Sequence, residues 1–145
     1  MKKITLLVIM LFAMNGLFAQ ATSQLNFGVI GLSYEIPVAE NITIAPAAGT
    51  NLELSYLTAG VKANFYFDTL IDLPAQWDVY AGANAGYAFG LDNGNDKNNG
   101  NDSDFDAGLQ VGGRWFWSEK WGIYLEFGGG HTSGGTAGLG LTMRL

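Results

Sequence analysis

The sequence predicts an all-β fold: a transmembrane antiparallel up-and-down β-barrel of about eight strands, seven of them clear. Three observations predict it. Apolar and polar residues alternate strictly through several segments, the charges in those segments fall on the polar face, and aromatic residues bracket the apolar face at two heights. Composition agrees. Of 145 residues, 21 are Gly, 48% are apolar and only 14% are charged, which argues against a disordered chain. The absence of Cys excludes a disulfide framework or a thiolate metal site, and a single His excludes a His-rich metal centre. A net charge of −6 argues against nucleic acid as a partner, because that needs a basic face.

Residues 1–19 read as a secretory signal peptide. Lys2 and Lys3 form a positive start, residues 4–12 are a nearly unbroken apolar run, and Leu17-Phe18-Ala19 precedes a cut at Gln20. Asn15 and Gly16 interrupt the run, which is short for a membrane helix. The remaining domain, 20–145, holds no stretch near the ~20 apolar residues that a membrane helix needs.

The strands follow in chain order. Segment 25–36 places Ile30, Leu32, Tyr34 and Ile36 opposite Gly31, Ser33 and Glu35, with a phase slip near Gly28 that suggests a bulge. Segment 41–49 sets Ile42 and Ile44 against Thr43, and Pro46 removes one ladder donor there. In 57–68, Leu57, Val61, Phe65 and Phe67 oppose Lys62, Tyr66 and Asp68. In 77–90, Trp77, Val79, Ala83, Tyr87 and Phe89 oppose Asp78, Tyr80 and Asn84. Segment 105–118 sets Leu109, Val111, Trp115 and Trp117 against Asp106, Gln110 and Arg114. Segment 121–129 sets Trp121, Ile123, Leu125 and Phe127 against Tyr124 and Glu126, and the last strand sets Leu139, Leu141 and Met143 against Thr142 and Arg144. Alternation of period two means one apolar and one polar face.

A secreted soluble sandwich also alternates. The aromatic residues argue for the barrel. If neighbours run antiparallel, Trp77, Trp115, Trp117 and Trp121 gather at one end, while Tyr87, Phe89, Phe105 and Phe127 gather at the other. Ten tilted residues project to about 25 Å, the height of a lipid-facing band between two aromatic girdles. Connections alternate as well. Short turns near 37–40, 69–76 and 118–120 suit the periplasmic side, and longer loops near 50–56, 91–104 and 131–135 suit the outer side. Seven segments leave the count open, since bacterial single-chain barrels have an even number of strands.

The phrase GLQVGGRWFWSEKWGIYLEFGGG, a strand, a tight turn and a strand, resembles small outer-membrane β-barrels of the OmpA/OmpX-like type. The signal ending Phe18-Ala19-Gln20 is similar to those of Bacteroidetes-type bacteria. The resemblance spans residues 20–145 and implies the outer membrane of a Gram-negative cell, membrane lipid as a partner and insertion by the barrel-assembly machinery. Such proteins usually end in an aromatic residue, and this chain ends in Leu145.

The inward set implies a filled polar lumen, because eight strands enclose a space that side chains just fill. Lys62, Arg114 and Arg144 can pair there with Asp78, Glu126 and Glu35, and Arg114 is placed to reach Glu126 on the adjacent strand. The expected protein is a monomer without catalysis, cofactor or metal, with a structural or surface-interaction role. A narrow pore for water, ions or small solutes is the alternative. His131 and Ser133 have the spacing used by lipid A deacylases, which are also small barrels, but no carboxylate follows to orient the His. Asp96, Asn98, Gly100, Asp102 and Asp104 alternate like oxygen ligands, without the closing Glu of a calcium loop.

Overall fold

The computed structural model describes residues 22–50, 56–90, 104–131 and 134–145. Eight strands account for most of them: β1 (Gln24–Gly28), β2 (Gly31–Ala39), β3 (Ile42–Thr50), β4 (Tyr56–Tyr66), β5 (Trp77–Gly90), β6 (Asp104–Phe116), β7 (Trp121–Gly130) and β8 (Gly134–Arg144). Each pairs antiparallel with its neighbours in sequence, and β8 closes on β1, so no edge remains. The sandwich alternative is thereby excluded.

The eighth strand is β1, and it corrects the reading of segment 25–36. The slip at Gly28 is not a bulge but a turn at Val29 and Ile30 between two strands, with Phe27 paired to Leu32. A two-residue connection switches the outward set from odd to even numbers: Leu25 and Phe27 lead to Leu32 and Tyr34. A true irregularity lies further on, between Pro37 and Ala39, where the β2–β3 register shifts.

Following the pairing once around gives the shear. The path from Arg144 through Gln24, Glu35, Ala45, Lys62, Asn84, Gly108 and Gly130 returns to β8 at Gly134, ten residues from its start. Eight strands with that stagger tilt by about 40° from the barrel axis. Gln24 and Arg144 are partners, so both ends of the barrel lie at one rim, called here the terminal rim. The connections at 40–41, 67–76 and 117–120 share that rim, and the Val29-Ile30 turn lies at the opposite rim. The length rule therefore fails locally, since 67–76 is much longer than the Val29-Ile30 turn.

The chain is turned inside out relative to a water-soluble protein. Phe27, Ile44, Val61, Leu109, Ile123, Leu125 and Leu141 are exposed, Leu109 to 72%. The fully buried large side chains are Arg114, Tyr80, Phe116, Glu35, Asn64, Thr43 and Thr142, most of them polar. Period-two alternation puts the apolar set on the outer wall, and closure brings polar side chains of the inner wall face to face across the lumen.

Segment 67–76 folds over the terminal rim through tight backbone bonds, including Leu70 N–H to Phe67 O at 2.9 Å and Leu73 N–H to Asp68 O at 3.0 Å. Asp72, at φ 50°, occupies the left-handed region that Asp tolerates. Partial burial raises the Asp68 carboxyl above its ordinary range; a backbone hydrogen bond opposes the rise, the nearby Asp78 charge adds to it, and the Arg144 charge opposes it. Among the described residues, one Asp68 carboxyl oxygen is buried without a partner. A raised carboxyl favours folding only while protonated, so its penalty grows as pH rises past the ordinary carboxylate range. Asp68→Asn is therefore expected to raise the unfolding midpoint at pH 7 and to lose that gain near pH 3, read by denaturant titration at both pH values.

Candidate functional site in the barrel interior

Six charged residues were expected inside, and the structure places all six on the inner wall, joined by three ion pairs that cross the lumen. Arg114 on β6 pairs with Glu35 on β2, Lys62 on β4 with Glu126 on β7, and Arg144 on β8 with Asp78 on β5 at 3.0 Å. Arg114 does not pair with Glu126. Its partner in register on β7 is Tyr124, while Glu126 faces Gly112. A strongly staggered barrel brings strands that are distant in sequence face to face, and Glu35 lies opposite Arg114 by that route.

The Arg114–Glu35 pair is the centre of a dry layer. Glu35 accepts hydrogen bonds from Arg114, from the Tyr66 hydroxyl, from Thr43 at 2.8 Å and from Asn26 at 3.0 Å. Four donors saturate a carboxylate, which is what a buried charge requires. Arg114 also donates to the Tyr66 hydroxyl oxygen, and its guanidinium carbon lies 4.3 Å from the Tyr80 ring centroid. Planarity and weak hydration suit a guanidinium to that sandwich of carboxylate and rings. Gly112 makes room for Tyr80, since a β-carbon there would overlap the ring.

Around this centre run two satellite networks. Toward the terminal rim, Thr142 donates to Asn26 at 2.7 Å, Gln24 donates to Asp78 at 3.2 Å, and Arg144 stacks over the Phe116 ring at 3.5 Å. Toward the opposite rim, Tyr80 donates to Glu126 at 2.9 Å, and Asn84, Gln110 and Asn64 form a chain in which Gln110 donates to Asn64 at 2.7 Å. None of these uncharged members was singled out as part of the polar network, although Gln24, Asn26, Thr43, Asn64 and Gln110 carry the same inward parity.

The expectation of a filled lumen holds for part of its length only. A cavity of about 570 Å³ occupies the half away from the terminal rim, where inward positions include Gly31, Gly60, Gly86, Gly128 and Gly138. A second space of about 590 Å³ lies under segment 67–76, bordered by Gln24, Tyr66, Asp68, Asp78 and Arg144. The Arg114–Glu35 layer lies between the two. Large and small inward residues are sorted by height as well as being matched side by side, and height depends on a stagger that alternation does not reveal.

On the outer wall, Trp77 faces Trp115 directly across β5–β6, and Trp115 and Trp117 rings lie 6.5 Å apart. Trp121 faces Met143. At the other rim Tyr87 faces Phe105, with rings 5.4 Å apart, and Phe89 adjoins Tyr87 at 6.5 Å. Phe127 faces Val111 and Ala137 instead, nearer the middle of the strand ladder. His131 is exposed at the end of β7, with its backbone N–H bonded to Ala107 O at 3.1 Å. Ser133, residues 1–19 and positions 96–102 lie outside the described residues; Asp104 opens β6.

No protein-family model matches the chain, and no curated protein does. Among solved structures, a de novo designed transmembrane β-barrel matches with a TM-score of 0.62 and 13% identity, over 88% of this chain and 98% of that one. At that identity the likeness is one of fold. The chain is a closed eight-stranded antiparallel β-barrel, similar in architecture to a barrel designed to cross a membrane.

Proposed function

We propose that the protein is a small monomeric barrel of a Gram-negative outer membrane, of the OmpA/OmpX-like type, with a structural or surface-interaction role and no catalysis. One observation carries this reading: the apolar side chains face out around a closed barrel whose interior is polar and charged. Lipid accepts such a wall, and closure satisfies every ladder group without water. The signal-like residues 1–19 and the two barrel ends at one rim support export and a periplasmic position for that rim. On this reading the assembly machinery inserts the chain, and lipid is its permanent partner. The His131 region takes no part in lipid hydrolysis, so His131→Ala leaves lipid A acylation unchanged.

The test is fractionation together with gel migration. The protein is expected in outer membranes and, unheated in detergent, to migrate apart from the boiled chain. Recovery in the soluble fraction with a single migration would overturn the reading. Planar bilayers separate plug from pore. The buried Arg114–Glu35 layer predicts no steady conductance, and repeatable openings would favour a narrow pore.

A further inference from the structure

We propose that the barrel wall is cut down at the β1–β2 turn and that an uncharged single-chain amphiphile of the outer leaflet binds across the cut, its hydroxyl-bearing head in the lumen and its alkyl chain in the lipid; this rests on the outer-membrane reading. The register sets the level of the turn, counted upward from the terminal rim. Val29 N–H bonds to Leu139 O at 3.3 Å, whereas β8 continues five residues further, to Gly134. At about 3.3 Å per residue and a tilt of about 40°, those residues rise roughly 13 Å above the turn. On its other side, Ile30 O accepts from Thr50 N–H at 2.8 Å, Thr50 pairs with Leu57, and Leu57 pairs with Phe89. A stagger of ten residues over eight strands climbs about one and a quarter residues per pairing, so the turn lies roughly 9 Å below Phe89 of the upper girdle.

The residues of the turn agree with that depth. A hairpin turn in water favours Asn-Gly or Asp-Gly, and this one is Val29-Ile30, with Val29 75% exposed. Below the girdle such a turn faces hydrocarbon, as the rest of the outer wall does. The cavity of about 570 Å³ meets the cut from within: Ile30 and Gly31 border it on one side, Thr136 and Gly138 on the other. Its lining comes from β2 to β8, and among the described residues β1, which stops at Gly28, supplies none of it. The volume lies within the range of small-molecule sites, about 300–1,000 Å³. Inside, Ser33, Thr58 and Tyr124 offer hydroxyls to a head group. Lys62 is joined to Glu126, which also accepts from Tyr80, so these floor charges already answer each other. Asp104 and Asp106 line the cavity and repel an anionic head. A hydroxyl both donates and accepts, and it matches such a wall without a counter-ion.

The chain has no Cys, so single thiols report access cleanly. The folded protein in phosphatidylcholine vesicles is treated with N-dodecylmaleimide, an uncharged reagent held in the bilayer, or with a sulfonated maleimide confined to water. Gly138→Cys stands beside the cut, where the nearest atom to an added β-carbon is 3.8 Å away. It is expected to take up the dodecyl reagent, and 1-decanoylglycerol at roughly ten times its half-effective level should slow that reaction about tenfold. Thr142→Cys, toward the terminal rim and fully buried, should not react. Lengthening the β1–β2 hairpin by about two residues in each strand raises the wall, and it should shield Gly138→Cys from the dodecyl reagent while leaving it open to the sulfonated one. Distinct migration of unheated protein on a gel establishes closure of each variant, and the decanoylglycerol arm decides should the longer hairpin not close. Phe89→Cys, on the outward girdle, reports the membrane separately: resistance to the dodecyl reagent there means that the outer-membrane reading itself has failed. With Phe89→Cys labelled, a Gly138→Cys thiol that the dodecyl reagent does not reach, that decanoylglycerol does not protect or that the longer hairpin does not shield would overturn the proposal.

Discussion

Arg114→Leu is expected to cost about 3–5 kcal/mol of unfolding free energy, the largest effect of any single change described here. The reason is what the substitution leaves behind. Glu35 is almost wholly buried, and it would keep Thr43, Asn26 and Tyr66 as donors but lose its cationic partner Arg114. An uncompensated buried carboxylate must either take up a proton or draw water into the layer. Adding Glu35→Leu to Arg114→Leu is expected to recover most of the loss, because removing both charges also removes their desolvation cost. Denaturant titration of the wild-type, single and double variants in lipid vesicles gives the cycle. Equal destabilisation by the single and double changes would mean that Arg114 acts by filling space beneath Tyr80, and that the ion pair contributes little.

The same pair marks how far the sequence can be read. Parity alone assigns Glu35, Lys62, Asp78, Arg114, Glu126 and Arg144 to one face, because alternate residues of a strand point to opposite sides. Parity does not say which of them meet. Glu35 and Arg114 are 79 residues apart, and they face each other only through the ten-residue stagger. Reading along a hairpin favours Arg114 with Glu126, whereas the lumen joins β2 to β6 and β4 to β7. The stagger accumulates over eight pairings, and no local pattern encodes it.

The missing strand has a different cause. β1 has five residues, too few for alternation to stand out, and its turn is Val29-Ile30 in place of an Asn-Gly or Asp-Gly pair. Gly28 and Gly31 flank that turn and were the only punctuation available. The phase slip was nevertheless a sufficient clue: a two-residue turn reverses parity, and so does a bulge, but only the turn brings the strand count to eight. The need for an even count is a physical constraint on closure with both ends at one rim, and it separates the two.

Val111→Arg is expected to cost about 2–4 kcal/mol in lipid, and it tests the environment of the outer wall more sharply than the inner layer can. Val111 is already 55% exposed, and its neighbours across the ladder are Ala81 and Phe127. In water, a polar replacement at so open a site changes stability by no more than about 0.5 kcal/mol. In hydrocarbon it places a guanidinium near the middle of the band, four residues from Trp115 and six from Phe105. The two solvents therefore give opposite expectations for one substitution. Ala107→Arg, two residues from Phe105 on the same outward face, should cost less, approaching about 0–1 kcal/mol as the guanidinium reaches the interface. Equilibrium unfolding in vesicles reads both variants. A graded penalty, large at Val111 and small at Ala107, is the signature of a bilayer around the wall, and two neutral variants would mean that water surrounds it.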